Sequence, residues 1–392
     1  MYNKIVFVAP ILNQVGGIEK TASEIKIACH KANIQFSLFT LLNTSTSSFS
    51  LMAKAHWLYK LSLLLLGKTF SFFIFCYVLG LKNDRLKENL NYSLIISRNV
   101  AMTYALILLK KKLKINCNVI YLPSHFSADL YHPIIEEAKK TRNVMALIKN
   151  QRHVLSESFF EKRILADNES QVITFSDNLL NRLKLMYRFD KKKVLRVIRP
   201  GVSDSILKNE LKSSTNKSII TFLCVGRVDT GKNVNRLLEL FSHADNNTFQ
   251  LNIVGDGNLL QDLKTQYKDN KNISFLGALF DEELASAYKS ASYLIIPTFF
   301  ESYGHVISES LCSGTPVVGF SFPSCRNAIS ELIQTGYNGL IIKDNTQYEF
   351  NDMLSESKNK LEYFESVSAK LQLESQQIFS WHHFMDELLH DT

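Results

Sequence analysis

Residues that interrupt regular structure are scarce in this chain. Its 392 residues include 15 glycines and 7 prolines, which excludes collagen-like, Pro-rich and linker-dominated segments. Charged residues make up 21% of the sequence and hydrophobic residues 46%, a balance typical of a globular chain and not of a disordered one. We find no repeat of solenoid or propeller period. The length exceeds one ordinary core and favours two domains.

Cysteine is also sparse, and its spacing lacks a pattern. No cysteine forms a Cys-x-x-Cys pair or a cluster with histidine, and the six are Cys29, Cys76, Cys117, Cys224, Cys312 and Cys325. This spacing suggests neither a zinc site nor a disulfide scaffold; it predicts small apolar residues in a reduced, cytoplasmic setting. Residues 1–7 lead directly into a strand pattern, so no signal peptide is predicted.

The two halves of the chain carry opposite net charge. Residues 1–200 contain 30 Lys and Arg against 13 Asp and Glu, a net charge of +17, whereas the remainder contains 15 against 24, a net charge of −9. A basic first half predicts an anionic partner. An anionic membrane surface is favoured over nucleic acid, because no zinc-finger, helix-turn-helix or RNP-like motif accompanies the charge.

One long apolar run is interrupted by charge. Residues 57–81 read WLYKLSLLLLGKTFSFFIFCYVLGL, in which Lys60 and Lys68 interrupt the run and Gly67 divides it. A charge near the middle of a membrane helix costs roughly 2.5–3.5 kcal/mol, so a transmembrane span is disfavoured. Two interpretations stay open: two buried helices of the first domain, or a surface that inserts Leu and aromatic side chains into the lipid interface.

Short apolar runs alternate with helical patterns along nearly the whole chain. Twelve runs have the length and composition of parallel strands buried on both faces. They are residues 4–9, 35–42, 93–97, 118–122, 172–176 and 194–198 in the first half, and 219–225, 250–254, 273–276, 293–297, 316–320 and 340–342 in the second. They predict an α/β fold with two Rossmann-like, doubly wound parallel-sheet domains facing a cleft.

The predicted domain boundary is a turn-rich sequence. Residues 199–202 read Arg-Pro-Gly-Val, and the polar stretch 208–217 that follows has the composition of a linker. We therefore predict an N-terminal domain over residues 1–200 and a C-terminal domain over residues 201–375. A final helix within residues 376–392 is a candidate to pack back on the first domain.

The strongest chemical signal follows the fourth strand of the second half. Glu301 and Glu309 are separated by seven residues, and Ser302, Tyr303 and Gly304 lie where a helix begins. Backbone N–H groups at a helix start suit a phosphate or a sugar hydroxyl. The alternative, two ordinary surface carboxylates, is disfavoured by this strand–loop–helix context.

A second group of candidates follows the first strand of the second half. Residues 226–233 read GRVDTGKN, which places Arg227 and Lys232 in one loop. A guanidinium binds phosphate in a bidentate manner and an ammonium acts as a point charge. Such cations stabilise the negative charge that develops when a nucleotide-sugar is cleaved. Two surface cations without a ligand are the alternative.

Two weaker candidates lie in the first half. Gly16 and Gly17 follow the opening strand and begin a helical pattern, where small residues let phosphate or sugar approach the backbone. His125 follows the fourth strand of that half. A turn glycine pair and a packed loop histidine are the respective alternatives.

Together these motifs resemble the retaining glycosyltransferases of family 4, which have the GT-B fold and include enzymes of bacterial surface-polysaccharide synthesis. The resemblance is close over residues 215–345 and loose in the first half. It also rests on motifs in the family's order and spacing, namely residues 254–258 (VGDGN), 275–277 (FLG), 331–333 (ELI) and 336–340 (GYNGL).

The resemblance implies a role for each matching residue. Glu301 contacts the donor sugar, Glu309 holds the ribose, and Arg227 and Lys232 clamp the diphosphate. His125 is implied to lie near the donor sugar.

Further matches and departures follow from the same comparison. Gly255 is expected among the donor-binding residues, and the stretch around Leu279 is implied to meet the nucleobase through backbone groups. His305 stands where the family often has an apolar residue, and residues 199–202 replace a common Pro-Asn-Gly-Val. The loop 326–330 lacks the family's usual glycines, which leaves the donor sugar open.

The function that the resemblance implies is retaining transfer of a hexose from a UDP- or GDP-linked donor to a saccharide or lipid-linked acceptor. It implies that residues 1–200 form the acceptor-binding domain and residues 201–375 the nucleotide-sugar-binding domain. The implied setting is lipopolysaccharide, capsule or exopolysaccharide synthesis at the cytoplasmic face of a bacterial inner membrane. No Asp-x-Asp motif is present, so no obligatory metal or other cofactor is expected. The alternatives are a nucleotide-sugar epimerase or phosphorylase of the same architecture, or a catalytically inactive partner subunit.

Overall fold

The chain divides into two compact units. The computed structural model describes residues 3–9, 17–40, 68–83, 86–123, 135, 139, 142–187, 189, 192–208, 210–212, 219–298, 300–321 and 326–390. The first unit comprises Met1–Ile198 together with Met385–Thr392, and the second comprises Arg199–Phe384. The sequence places the boundary after residue 200; the structure divides the chain after Ile198.

The first unit contains a six-stranded parallel sheet in the order β2-β1-β3-β4-β5-β6, which extends the flavodoxin-like order by one strand. Its strands are β1 (Lys4–Ala9), β2 (Gln35–Thr40), β3 (Ser93–Ser97), β4 (Cys117–Tyr121), β5 (Ser170–Thr174) and β6 (Leu195–Val197). Its described helices are α1 (Gly17–Lys31), α2 (Lys68–Leu81), α3 (Leu86–Leu90), α4 (Val100–Leu113), α5 (Val144–Ala166) and α6 (Asp177–Met186).

Helix α2 resolves part of the ambiguity of the apolar run 57–81. Phe70, Phe72, Phe73 and Tyr77 of α2 pack against the core of the first unit. The ring of Phe73 lies 5.0 Å from that of Phe160 on α5. These aromatic side chains are partly buried and pack on the core, which favours the buried-helix interpretation for this part of the run. Residues 57–67 lie outside the described residues. In the described part of the chain, no helix combines the length and the apolarity needed to cross a bilayer.

The first unit buries one lysine among backbone acceptors. The ammonium of Lys193 donates to the carbonyls of Ile164 at 2.8 Å and Asp167 at 2.6 Å, and to the Ser170 hydroxyl at 2.7 Å. Burial lowers the pKa of Lys193 to about 8. The Asp167 carboxylate, which is itself ion-paired with Lys111, opposes this shift.

This lysine predicts a pH-dependent stability. Its folded-state pKa lies below the unfolded value of about 10.4, so the unfolded state binds more protons between about pH 8 and pH 10.4. The unfolding free energy therefore rises with pH across this window, by up to roughly 3 kcal/mol from this residue. Buried thiols such as that of Cys224, whose pKa burial raises to about 12, lower the stability over the same range, so the measurement compares two proteins. In urea unfolding at pH 7.5, 9 and 10, the unfolding free energy of the wild type relative to Lys193→Met should rise with pH. Relative to the exposed-site control Lys192→Met it should stay constant; parallel curves for all three proteins would refute the assignment.

The second unit contains a parallel sheet in the order β14-β12-β10-β7-β8-β9, which is the Rossmann order. The sheet strands are β7 (Ile220–Val225), β8 (Phe249–Val254), β9 (Ile273–Gly277), β10 (Tyr293–Ile296), β12 (Val317–Phe320) and β14 (Gly339–Ile342). The two-residue strands β11 (Phe300–Glu301) and β13 (Arg326–Asn327) pair separately. The helices are α7 (Asp204–Leu207), α8 (Val234–Phe241), α9 (Leu260–Gln266), α10 (Asp281–Ser290), α11 (His305–Cys312), α12 (Ile329–Leu332) and α13 (Gln347–Ile378), and α14 (Trp381–His390) crosses the division.

The turn-rich sequence at the predicted boundary, residues 199–202, is closely packed in the second unit. Val202 is buried, and its N–H donates to the Phe379 carbonyl at 3.0 Å. Gly201 lies so close to Trp381 that a Cβ there would overlap the Trp381 backbone nitrogen. These turn-forming residues therefore belong to the packed interior of the second unit.

The predicted final helix is present within residues 376–392. Helix α13 ends at Ile378, and α14 begins at Trp381 and ends at His390. Met385–Thr392 group with the first unit. There, the guanidinium of Arg196 donates to the carbonyl of Glu387.

Candidate active site

The strand order of the second unit predicts where a ligand binds. Strands β7 and β10 are adjacent at the centre of the sheet, but the chain continues from β7 to β8 on one side and from β10 to β12 on the other. At such a topological switch point, a crevice opens outside the carboxyl ends of the two strands. The loops that follow β7 and β10 are those that carry Arg227, Lys232 and Glu301.

Close backbone packing shapes the edge of this site. Gly226 and Gly255 end the neighbouring strands β7 and β8 with φ of 150° and 140°, values that side-chain-bearing residues rarely adopt. A Cβ on Gly255 would overlap the Gly226 carbonyl oxygen. The Gly226 N–H donates to the Val254 carbonyl at 3.0 Å, and the Gly255 N–H to Gly277 at 2.7 Å. Backbone groups thus form this edge.

The loop after β7 is held by its own polar side chains. The Asp229 carboxylate accepts from the Lys232 N–H at 3.1 Å and caps a short 3₁₀ turn, Thr230–Lys232. Asn233 follows in the left-handed conformation, with φ of 56°, which Asn tolerates better than most residues. Its buried amide donates to the Pro297 carbonyl at 3.0 Å. That bond ties the loop after β7 to the end of β10.

A lysine–glutamate ion pair lies where these two loops meet. The Lys232 ammonium is 2.7 Å from the Glu301 carboxylate, and the two side chains are 31% and 16% exposed. A pair with this exposure stabilises a fold by at most about 1 kcal/mol. Arg227 lies 3.2 Å from Asp229 and is 78% exposed, so its guanidinium is accessible to a ligand. Two cations and one oriented carboxylate therefore flank the switch point.

These side chains line a pocket with an apolar floor. The polar and backbone contributions come from Gly226, Arg227, Lys232, Pro297, Thr298 and Glu301, and the apolar ones from Cys224, Val225, Val234, Ile253, Ile295, Ile296 and Val306. Burial raises the pKa of the Cys224 thiol to about 12, so a neutral thiol, not a thiolate nucleophile, lines the pocket. The titratable groups that a ligand can meet here are Arg227, Lys232 and Glu301.

Glu301 is fixed by a feature that the sequence pattern misses. The two-residue strand β11 contains Glu301 and pairs with β13, and the Glu301 carbonyl accepts from the Ala328 N–H at 2.8 Å. Gly304 then adopts φ of 93° and begins α11. Residues with a side chain rarely adopt this φ, so glycine is favoured where the chain turns into the helix. The predicted helix start at Gly304 is confirmed.

Glu309, the second carboxylate of the motif, is buried beside α10. Glu309 is 5% exposed and does not line the pocket; its carboxylate accepts from the Tyr288 hydroxyl of α10 at 2.8 Å. Burial and the adjacent Glu309 carboxylate raise the pKa of Tyr288 well above its ordinary value, which keeps the hydroxyl a donor. Glu309 therefore lies deeper than Glu301, and its predicted contact with the ribose stays a prediction.

The remaining candidate residues differ in burial. Tyr303 is buried, with its ring 5.2 Å from the His305 ring, and Ser302 is half-buried. Leu279 is half-buried two residues beyond β9. Gly17 begins helix α1 as predicted. Gly16 and His125 lie outside the described residues.

Sequence reasoning also missed Asn233 as a site residue. Its amide joins the two loops that hold Arg227, Lys232 and Glu301. A signal was present, because an asparagine that directly precedes a helix often adopts the left-handed conformation or caps it.

Most of the second unit matches the sequence model of a known protein family. Residues 206–368 match the sequence model of the family described as "Glycosyl transferases group 1". The match covers the loops and strands that build the pocket.

Two curated proteins are similar to parts of the chain. A GDP-mannose-dependent alpha-mannosyltransferase of Corynebacterium glutamicum is 32% identical over 182 residues, which is 46% of this chain and 40% of the relative. An alpha-monoglucosyldiacylglycerol synthase of Streptococcus pneumoniae is 32% identical over 140 residues, 34% of this chain and 32% of the relative. The chain thus matches less than half the length of either relative.

A solved structure resembles the chain over nearly its whole length. The sucrose-phosphate synthase of Thermosynechococcus elongatus superposes with a TM-score of 0.72 at 16% identity, covering 99% of this chain and 98% of that one. This likeness, together with the two observed sheets, confirms the predicted α/β fold with two Rossmann-like, doubly wound domains of the GT-B type.

Proposed function

We propose that this protein is a glycosyltransferase that moves a hexose from a nucleoside-diphosphate sugar to a hydroxyl acceptor. The observation that carries the proposal is the Lys232–Glu301 pair at the switch point of the second sheet, with Arg227 exposed beside it. Lys232 and Arg227 are suited to neutralise the departing diphosphate, and Glu301 to orient the sugar. The match of residues 206–368 to glycosyl transferases group 1 supports the same assignment.

The donor is a UDP- or GDP-linked hexose. The name of the C. glutamicum relative specifies GDP-mannose, which favours GDP as the first nucleotide to test. The pocket's polar edge consists of backbone and cationic groups, which bind the diphosphate common to both donors. Gly255 and the stretch around Leu279 remain the proposed contacts of the nucleotide, while Ser302, Tyr303 and Gly304 surround the proposed sugar position.

Transfer proceeds with retention of anomeric configuration, as expected for family 4. The acceptor hydroxyl attacks the face from which the diphosphate departs, the sugar–phosphate bond breaks, and a departing phosphate oxygen takes the hydroxyl proton. Glu301 is 2.7 Å from the Lys232 ammonium, which suits an orienting carboxylate better than a free nucleophile. Both curated relatives carry "alpha" in the names of their products or activities, in agreement with a shared stereochemical outcome.

The acceptor is a saccharide or a lipid-linked saccharide. The first 200 residues carry a net charge of +17, which favours an anionic surface near the acceptor, and the S. pneumoniae relative is named for a glycolipid product. These features support a peripheral location at the cytoplasmic face of the membrane, in the synthesis of lipopolysaccharide, capsule or exopolysaccharide.

A turnover assay separates this function from its alternatives. Incubation with UDP- and GDP-sugars and a saccharide acceptor should release nucleoside diphosphate and yield a product one hexose heavier by mass spectrometry. An epimerase would isomerise the donor without release, a phosphorylase would require inorganic phosphate, and an inactive partner subunit would do none of these. The Lys232–Glu301 pair and exposed Arg227 argue against the inactive subunit.

We expect turnover to survive removal of divalent metal. Arg227 and Lys232 supply positive charge at the diphosphate in place of a bound cation. With excess EDTA, the rate should fall by less than about tenfold, and added Mg²⁺ should raise it modestly by screening the diphosphate. Complete loss of activity that returns with added metal would contradict a metal-independent site.

A further inference from the structure

Helix α5 exposes large apolar side chains along one face. Five of them are between 39% and 79% exposed, namely Val144, Met145, Ile148, Leu155 and Phe159. Exposed single apolar residues are ordinary on protein surfaces, but a set concentrated on one helix marks an interaction surface.

These residues lie opposite the side of α5 that packs on the core. Phe160 and Ile164 are buried in the core of the first unit. At about 100° per residue, the five exposed residues lie within an arc of about 100° directed away from these two. Helix α5 therefore has two apolar sides. One packs on the core, and the other, formed by the five exposed residues, faces the surface.

Basic residues share this face. Lys149, Arg152, Lys162 and Arg163 are exposed, and together with the apolar residues they lie within an arc of about 140°. The Arg163 guanidinium lies 4.3 Å above the Phe159 ring. The two acidic residues of α5, Glu157 and Glu161, lie on the other side of the helix, where Glu161 accepts from the Tyr187 hydroxyl at 2.6 Å.

We propose that this face of α5 docks on an anionic lipid bilayer, with the helix lying in the plane of the interface. Apolar side chains that insert into the acyl boundary, flanked by Lys and Arg that meet anionic headgroups, are the two features that interfacial helices share. The 23 residues of α5 extend over about 34 Å, long enough for several headgroup contacts.

Charge and apolarity favour a lipid bilayer over a second copy of the chain and over nucleic acid. A second copy of the chain that paired through the same face would bring four cations against four cations, which is unfavourable. Nucleic acid would be bound by the cations, but Val144, Met145, Ile148 and Leu155 offer no groups for phosphate or base recognition. The proposal rests on the peripheral location given under the proposed function and deepens it, because it names the surface that binds the lipid; lipid binding itself needs neither donor nor acceptor.

The experiment is vesicle sedimentation of the full chain. We expect binding to vesicles of equal parts phosphatidylglycerol and phosphatidylcholine, little binding to phosphatidylcholine alone, and weakening with salt, since charge attraction is screened. Ile148→Ser with Leu155→Ser should remove the salt-resistant part of the binding. Lys149→Glu with Arg152→Glu should lower the affinity at low salt by about tenfold or more.

Matched controls lie elsewhere on the same unit. Leu185 on α6 is 86% exposed, and Lys26 on α1 is exposed, so Leu185→Ser and Lys26→Glu should bind vesicles as the wild type does. Because every substituted side chain is exposed, all variants should keep the wild-type melting curve.

Several outcomes would overturn the proposal. Wild-type protein that ignores anionic vesicles at low salt, or α5 variants that bind as well as the controls, would do so. A gel shift with duplex nucleic acid but no vesicle binding would favour nucleic acid instead. A dimer in light scattering that Leu155→Ser dissociates, without vesicle binding, would favour a second copy. None of these readouts uses turnover, so the proposed transferase activity succeeds or fails separately.

Discussion

Lys232→Ala and Glu301→Gln should each lower turnover by at least ~10²-fold, because each removes an electrostatic contact at the reacting centre. Loss of Lys232 leaves the departing diphosphate without its nearest cation, and loss of the Glu301 charge releases the Lys232 ammonium, now 2.7 Å away. The fold should remain intact, since the net stabilisation from a partly exposed pair is at most about 1 kcal/mol. Steady-state rates of nucleoside diphosphate release, measured beside melting curves, test both expectations.

The second unit offers a matched control for this pair. Lys360 lies 3.3 Å from Glu356 on α13 and is 37% exposed, close to the exposure of Lys232. Lys360→Ala should therefore keep wild-type turnover and stability. Near-normal rates for both Lys232→Ala and Glu301→Gln would remove the proposed active site from this pocket.

Gly255→Ala should damage both stability and nucleotide binding. The new Cβ would overlap the Gly226 carbonyl oxygen at a φ of 140°, so the ends of β7 and β8 must separate. Backbone strain and overlap of this kind cost on the order of 3 kcal/mol or more. For a unit of this size each kcal/mol lowers Tm by roughly 2–4 °C, so we expect a loss of several degrees with weakened donor binding.

Two other glycines provide controls for this change. A Cβ on Gly277 meets open space at a φ of 75°, so Gly277→Ala should cost about 1 kcal/mol from backbone strain alone. Gly231→Ala lies in the loop of Lys232, with Asp229 at 3.3 Å, and should be milder still. A Gly255→Ala protein with the wild-type Tm and KM would contradict the close-packed edge described here.

Regular strands could be predicted from the sequence because they carry a local signal. All twelve predicted runs form strands, with ends displaced by at most two residues. Strands β11 and β13 are two residues long and show no periodicity, so they were missed. The strand order, and with it the switch point between β7 and β10, depends on contacts between distant residues that no local pattern contains.

The sequence predicts those site residues whose position follows directly from the end of a strand. Arg227, Lys232 and Glu301 follow strand ends and come together as expected. The spacing from Glu301 places Glu309 on α11, but it does not reveal the hydrogen bond from Tyr288 on α10, 21 residues away in the chain.

Composition alone does not show which side chains are buried. Residues 199–202 mark the division through their turn-forming content, but that content does not reveal that Val202 is buried and bonded to Phe379. The aromatics of α2 suit either a membrane surface or a core, and Phe73 packs against Phe160 of the core. The exposed face of α5 lacked a sequence signal because its core side and its outer side are both apolar.

Binding of a nucleoside diphosphate to the pocket between the β7 and β10 loops is the central claim, and titration calorimetry tests it most directly. UDP and GDP would be titrated separately into the wild type, Lys232→Ala and Lys360→Ala. We expect one of the two nucleotides to bind the wild type and Lys360→Ala with equal affinity and a single site, and to bind Lys232→Ala at least about tenfold more weakly. Absence of binding by both nucleotides, or equal affinity for all three proteins, would contradict it.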